Sequence, residues 1–192
     1  MTPQHLTLAA PDCYERLGTR AQMNPPIRDL RHQTALWKAV NEGLVDVVAS
    51  DHAPHTLEEK AKPYPNSPSG MPGVQTLLPV MLNHVHNGRL SLARLVDLVC
   101  AGPARVYGMA RKGRLVLGND ADFTLVDLKR EVTLTDAMMK STCAWTPYDG
   151  MKTVGWPVST IVRGTVVMHE QELVSAPMGQ LVQFEETIAA QS

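Results

Sequence analysis

The chain has 192 residues, 44% of them hydrophobic, and a net charge of −1 from 18 Lys and Arg against 19 Asp and Glu, enough to bury a core in one or two domains. The cations are dispersed rather than gathered into a stripe, which excludes nucleic acid or an anionic membrane as the expected partner. Cys13, Cys100 and Cys143 are odd in number and lack metal or redox spacing, and neither a leader at Met1–His5 nor an 18-residue apolar run occurs, so the expectation is a reducing, cytoplasmic setting.

In chain order, Leu6-Thr7-Leu8 reads as the end of a short strand, and Pro11 to Arg28, polar and broken by Pro25-Pro26, as a long loop of the kind that often carries function. Asp29 can cap a helix in which Leu36, Val40 and Leu44 recur at helical spacing beside Trp37, with Gly43 as its stop. Val45 to Ala49 reads as a buried strand. Thr56 to Gly73, rich in proline and without apolar periodicity, reads as a second long loop. A helix over 74–85 places Leu77, Leu78, Met81, Leu82 and Val85 on one side. Another follows the Ser91 cap through Val99, and Pro103 opens a short one ending near Gly108.

Strand, loop, helix repeated in this way is the grammar of parallel α/β units, which occupy 1–112. After Gly113 the pattern changes to short alternating segments: Ala121 to Val126, Ser159 to Val162, Val166 to His169 and Glu172 to Val174, with a turn at Arg163-Gly164. Residues 113–192 therefore read as a β-rich segment, with an irregular, packed stretch from Thr142 to Pro157. The ten methionines fall mostly at helical core positions and require no cofactor.

The chemistry concentrates at Ala49-Ser50-Asp51-His52-Ala53-Pro54-His55, where an apolar strand ends in an acid and two histidines. α/β barrels place their chemistry at the carboxyl ends of strands, so Asp51 is the candidate centre of a hydrolytic site. The bare residues leave a plainer reading open, in which Asp51 caps a turn, His55 is satisfied by loop backbone, Asn24 shapes the turn before Pro25, and Ser69 and Gly70 only form a loop. His84 and His86, two apart on a helix, point about 200° from each other and do not share a metal easily; they read as surface or helix-end histidines. His32 and His169 have no ligand spacing.

Three stretches in order, Met23-Asn24-Pro25-Pro26-Ile27-Arg28, Ser50-Asp51-His52-Ala53-Pro54-His55-Thr56 and Ser69-Gly70-Met71-Pro72-Gly73, resemble successive motifs of the class I dihydroorotases, cyclic amidohydrolases related to hydantoinases and allantoinases. Trp145-Thr146-Pro147-Tyr148-Asp149-Gly150 and Gly155-Trp156-Pro157-Val158 are similar to that family's closing β segment. The resemblance implies an α/β fold, the C-terminal part of a (β/α)8 amidohydrolase barrel (TIM type) plus part of a small β-sandwich. It implies zinc-dependent, reversible hydrolysis of the ring amide of dihydroorotate to carbamoyl-aspartate, in pyrimidine biosynthesis. Two zinc ions would share a bridging hydroxide. Asp51 would be both metal ligand and catalytic proton carrier, with Asn24, His55 and the Ser69-Gly70 backbone holding the substrate carboxylate. A histidine at position 55 favours dihydroorotate over hydantoin or allantoin.

A complete barrel takes about 250 residues, and the family's His-x-His pair, bridging lysine and later histidines have no counterpart here, so Asp51 is the one expected ligand present. His5 resembles a motif that is not a metal ligand and follows Gln4, and Gln75 stands where the family often carries Glu. The expectation is a C-terminal portion that is inactive and holds no zinc pair by itself, with a homo-oligomer or a transcarbamoylase as the protein partners that the resemblance suggests. The alternatives are a non-catalytic dihydroorotase-like scaffold for a transcarbamoylase and, more weakly, a hydantoinase or allantoinase.

Overall fold

The computed structural model describes residues 1–185; residues 186–192 lie outside the described part. Leu6-Thr7-Leu8 does not end a strand. Thr2 accepts a hydrogen bond from the His5 amide and Pro3 sits at the first helical turn, so residues Pro3–Thr7 wind into helix α1. The expected loop from Pro11 to Arg28 also contains helix: α2 spans Asp12–Leu17 and stops at Gly18, whose φ is 56°, and a 3-10 turn covers Gly18–Ala21. These elements are too short to show a period, yet they bury Cys13, Leu17 and Ala21. Helix α3, Leu30–Asn41, begins as read from the sequence: the Asp29 carboxylate accepts from the amides of Arg31 and His32.

Val45 to Ala49 runs extended but forms no strand. The Met1 amino group donates to Val47 O (3.1 Å) and Ala49 N donates to Met1 O (2.9 Å) on one side, while Val48 N reaches Leu98 O (3.0 Å) on the other. One residue supplies a single parallel rung, and a ladder needs a run of them. The loop from Thr56 to Gly73 is largely irregular, with one turn of helix, α4 (Leu57–Lys60), closed by a capping box between Thr56 and Glu59.

Helix α5, Leu77–His86, starts three residues later than its apolar pattern suggests. Helix α6 (Leu92–Val96), a π segment (Asp97–Ala101) and α7 (Gly102–Tyr107) follow one another without a break, rather than as two helices parted at Pro103. The wider π turn accommodates the missing N–H and the ring of Pro103. Gly108, at φ 60°, closes α7.

The second half forms one antiparallel meander, β1 (Phe123–Thr133), β2 (Lys152–Val162), β3 (Thr165–His169) and β4 (Glu172–Leu173). Arg163 and Gly164, with φ of 47° and 80°, make the tight turn between β2 and β3. β1 and β2 are longer than their alternation shows. Lys152 to Pro157, expected to be irregular, pairs with Thr133 to Val126, and Pro157 sits at a register shift between Leu125 and Val126, where a missing amide is tolerated.

One core cluster joins Leu8, Met23, Ile27, Met71 and Val80 to Leu134, Trp145, Tyr148 and Trp156, so the first 112 residues and the β-rich segment share it. A second surrounds Leu6, Trp37, Val40, Met81, Leu82, Leu95 and Leu98. Helix α5 contributes to both, and β2 crosses it closely: a Cβ on Gly155 would lie 2.8 Å from Leu82 Cβ. On the sheet, Phe123, Leu125 and Leu128 of β1 and Leu173 of β4 remain exposed. The arrangement is α/β with a small antiparallel sheet.

Candidate active site

Past the extended stretch, Asp51 takes a φ of 45°, a left-handed conformation that Asp tolerates better than most residues. Asp51 itself is exposed at that point. Immediately after it, His52 forms a parallel bridge with Met71, and Ala53 N donates to Met71 O at 3.2 Å. His52 Nδ1 accepts from Gly73 N at 3.2 Å. The two histidine-bearing and glycine-bearing motifs, far apart in the loop, are thereby laid side by side.

His55 lies inside this junction. Its Nε2 donates to Ser69 O at 3.2 Å, and its Nδ1 stands 3.7 Å from the Glu59 carboxylate. Gly70 packs beneath it: at φ 130°, a Cβ there would meet Ala53 Cβ and Ala53 O at 2.7 Å and His55 Cδ2 at 3.4 Å. Only glycine allows that approach. The structure thus gathers His55, Ser69 and Gly70. Asn24 is exposed on the neighbouring loop, and that loop is tied in through Gln22, whose carbonyl accepts from Gly70 N (2.9 Å) and whose side-chain Nε2 donates to Ser67 O (2.9 Å) and Ser69 Oγ (3.4 Å). Among the described residues no hydrogen bond links the Asn24 or Asp51 side chain to this group.

Four residues of the arrangement escaped sequence reasoning. Gln22 is one. Lys60, fully buried, directs its ammonium at Gln22 O (3.1 Å) and Pro68 O (2.7 Å), and burial lowers its pKa from 10.5 to about 8. Trp145, also fully buried, donates its indole N–H to His55 O at 2.7 Å, so the β-rich segment reaches the site. Gln4, buried, donates to Ser50 O at 2.9 Å just before Asp51, against Gly73. The cue in the sequence was weak in each case: a polar residue in or beside a motif, without periodicity to signal burial.

Gln75 is a clip. Its amide nitrogen donates to Met138 O (2.7 Å) and its oxygen accepts from Lys140 N (2.9 Å), a two-way pairing that a carboxylate cannot make. It borders a cleft of about 190 Å3 between His52, Pro72–Thr76 and the 139–141 stretch. His84 is not at the surface. It is 6% exposed, bonded through Nε2 to Thr7 Oγ1 (2.9 Å) and stacked edge-on against Trp37; His86 is exposed at the helix end. Among the described residues no three His, Cys, Asp or Glu side chains converge as metal ligands. Asp51 would offer one ligand where catalytic zinc typically takes three from protein, so these residues do not by themselves fit a zinc pair. No helix among them is long and apolar enough to cross a membrane.

Comparison with known proteins follows the same outline. A model of the amidohydrolase family matches residues 5–167. The dihydroorotase of Halobacterium salinarum is 44% identical over 181 residues, 94% of this chain and 42% of that protein. The dihydroorotase of Pyrococcus furiosus is 38% identical over 95% of the chain and 42% of its own length, and the L-hydantoinase of Paenarthrobacter aurescens is 39% identical over 94% and 40%. Among solved structures, the L-hydantoinase (dihydropyrimidinase) of Arthrobacter aurescens superposes with a TM-score of 0.87 at 37% identity, over 91% of this chain and 40% of that one. The chain spans about two-fifths of the length of the curated relatives it matches.

Proposed function

Because this chain belongs to the amidohydrolase family, we propose that it supplies the proton-carrying and carboxylate-holding part of a dihydroorotase, in which water adds to the ring amide of dihydroorotate and the C–N bond opens to give carbamoyl-aspartate. The observation that carries the reading is the His52–Met71 bridge, which lays the stretch from Asp51 to His55 along the Ser69-to-Gly73 stretch and brings His55 onto Ser69 O. The dihydroorotase relatives at 38–44% identity support it.

In this proposal Asp51 accepts a proton from the attacking water and delivers it to the departing ring nitrogen, a task that requires reach to both atoms. Exposed, in a left-handed conformation and without a hydrogen-bond partner among the described residues, the Asp51 carboxylate is free to make that reach. The substrate's own carboxylate is held by the Asn24 amide and by the Nδ1 edge of His55, since the Nε2–H is already given to Ser69 O; there it takes the place of the Glu59 carboxylate, which stands 3.7 Å away. Gly70 N–H is already given to Gln22 O, so the part of Gly70 is to make room rather than to donate. A zinc pair belongs to the proposal only at the level of the whole protein, with Asp51 as the ligand this chain offers; by itself, with zinc, the 192-residue chain is expected to turn over no dihydroorotate.

A second reading, an L-hydantoinase, is favoured by the 39% identical relative and by the solved structure at TM-score 0.87. Turnover of dihydroorotate, hydantoin and allantoin by the protein as its gene encodes it separates the two. Highest kcat/KM on dihydroorotate is the expected result, and preference for either other ring overturns the substrate assignment.

A further inference from the structure

Lys60 is a buried cation whose charge the fold leaves without an acidic partner. Its side chain is wholly enclosed, and its ammonium meets two backbone carbonyls, Gln22 O at 3.1 Å and Pro68 O at 2.7 Å, with no carboxylate within 4 Å among the described residues. Lysine is almost never fully buried unless paired, and a neutral side chain of similar length would fill the space at lower desolvation cost. The location gives the charge a purpose. Gln22 lies two residues before Asn24 and Pro68 directly precedes Ser69-Gly70, so one ammonium binds together the two loops that carry the proposed carboxylate contacts. The lysine is itself held at its backbone, where its carbonyl accepts from Thr19 Oγ1 and from Ser67 Oγ (3.3 Å).

We propose that Lys60 is a positioning residue for an anionic substrate: it clamps the Asn24 loop to the Ser69-Gly70 loop and places an uncompensated positive charge behind the carboxylate subsite. This rests on the dihydroorotase reading for the identity of the anion, but the clamp itself does not. An anion arriving at the loops supplies the counter-charge that the protein omits, so binding should depend on Lys60 more than the chemical step does. Lowering of the ammonium's affinity for its proton by burial agrees with this environment.

The test uses Lys60→Met and Lys60→Gln in the protein as its gene encodes it, with two readouts. Amide hydrogen exchange at Gly70, whose N–H is bonded to Gln22 O, should quicken about tenfold or more in Lys60→Met while Val80 and Leu95 in the helices keep their protection. KM for dihydroorotate should rise about tenfold with kcat within about threefold of the parent. Lys60→Gln, which keeps a donor but no charge, should restore part of the Gly70 protection and little of KM. Unchanged Gly70 exchange, or exchange quickened equally everywhere, overturns the clamp. A KM within about twofold of the parent in both variants overturns the charge role. If the parent protein turns over no dihydroorotate, the functional reading fails, and Gly70 exchange still decides the clamp.

Discussion

His84 should make this protein lose stability in mild acid, by an amount the structure allows to be worked out. The imidazole is enclosed by Trp37 and Thr7 at the end of α5 and is 6% exposed. Burial, and then the Arg89 guanidinium nearby, lower its pKa from 6.5 to about 4. Between those values the unfolded chain binds a proton that the native state refuses. Stability is therefore intact above pH 6.5 and falls as the pH drops toward 4, by about 3 kcal/mol over the full interval and about 2 kcal/mol by pH 5. Carboxylates whose pKa is lowered in the fold, Asp120 beside Lys112 and Glu59 at the Thr56 amide, lose their contribution mainly below their ordinary values of 3.8 and 4.5, under the pH 5 of the comparison. Urea unfolding followed by tryptophan fluorescence at about pH 7.5 and about pH 5 should show the parent midpoint falling by about 1 M. His84→Gln, weaker at both pH values through lost packing, should show a much smaller fall. Equal falls in the two proteins, or a His84 ring that titrates near 6.5 by NMR, refute the reasoning.

Asp51→Asn in the protein as its gene encodes it should lower kcat by about a hundredfold to ten-thousandfold while substrate still binds; a near-normal kcat removes Asp51 from proton transfer. Gly70→Ala should lower stability by about 2–3 kcal/mol, from strain at φ 130° and the 2.7 Å approach to Ala53, and a denaturation midpoint equal to the parent's would contradict that geometry. Trp145→Phe strands the His55 carbonyl that the indole N–H satisfies at 2.7 Å. A loss of about 1–3 kcal/mol is expected, with a raised KM, and a parental KM would mean that His55 does not depend on this contact.

The sequence was most informative where one residue type does one local job. Asp29 capping α3, Gly108 closing α7 and the Arg163-Gly164 turn are short-range effects, and each formed as read. The motifs around Asp51 and Gly70 were legible for the same reason, as compact strings. Failures came where the deciding partner is distant. Val45 to Ala49 has the composition of a strand, but a strand exists only by its ladder, and Met1 supplies one rung. Lys152 to Pro157 carries a Gly and a Pro and reads as irregular, yet β1 pairs with it across a register shift. His84 looked like any polar residue at a helix end until Trp37 and Thr7, far away in the chain, enclosed it. Lys60 is the sharpest case, since no periodicity marks a lysine for burial inside a proline-rich loop.

The same long-range logic decides what holds the site. Within the three motifs the contacts are few: the bridge at His52–Met71, the hydrogen bond from Gly73 N to His52 Nδ1 and the one from His55 to Ser69 O. The other restraints come from outside them or from flanking positions. Lys60 and Gln22 close the loops from below, Gln4 supports the Ser50 carbonyl, and Trp145 fixes the backbone of His55. Trp145 is itself immobilised because its segment is latched to the helix region at separate points: Gln75 to Met138 and Lys140, and Asn83 Oδ1 to Val154 N at 3.1 Å, beside the close crossing of Gly155 over Leu82. A β-rich segment that bears none of the proposed catalytic side chains is thus part of the candidate site's rigidity. Catalytic groups must be held to within a fraction of an ångström, so loosening the sheet should be felt at His55 before it is felt at Asp51, whose carboxylate stands free of these contacts.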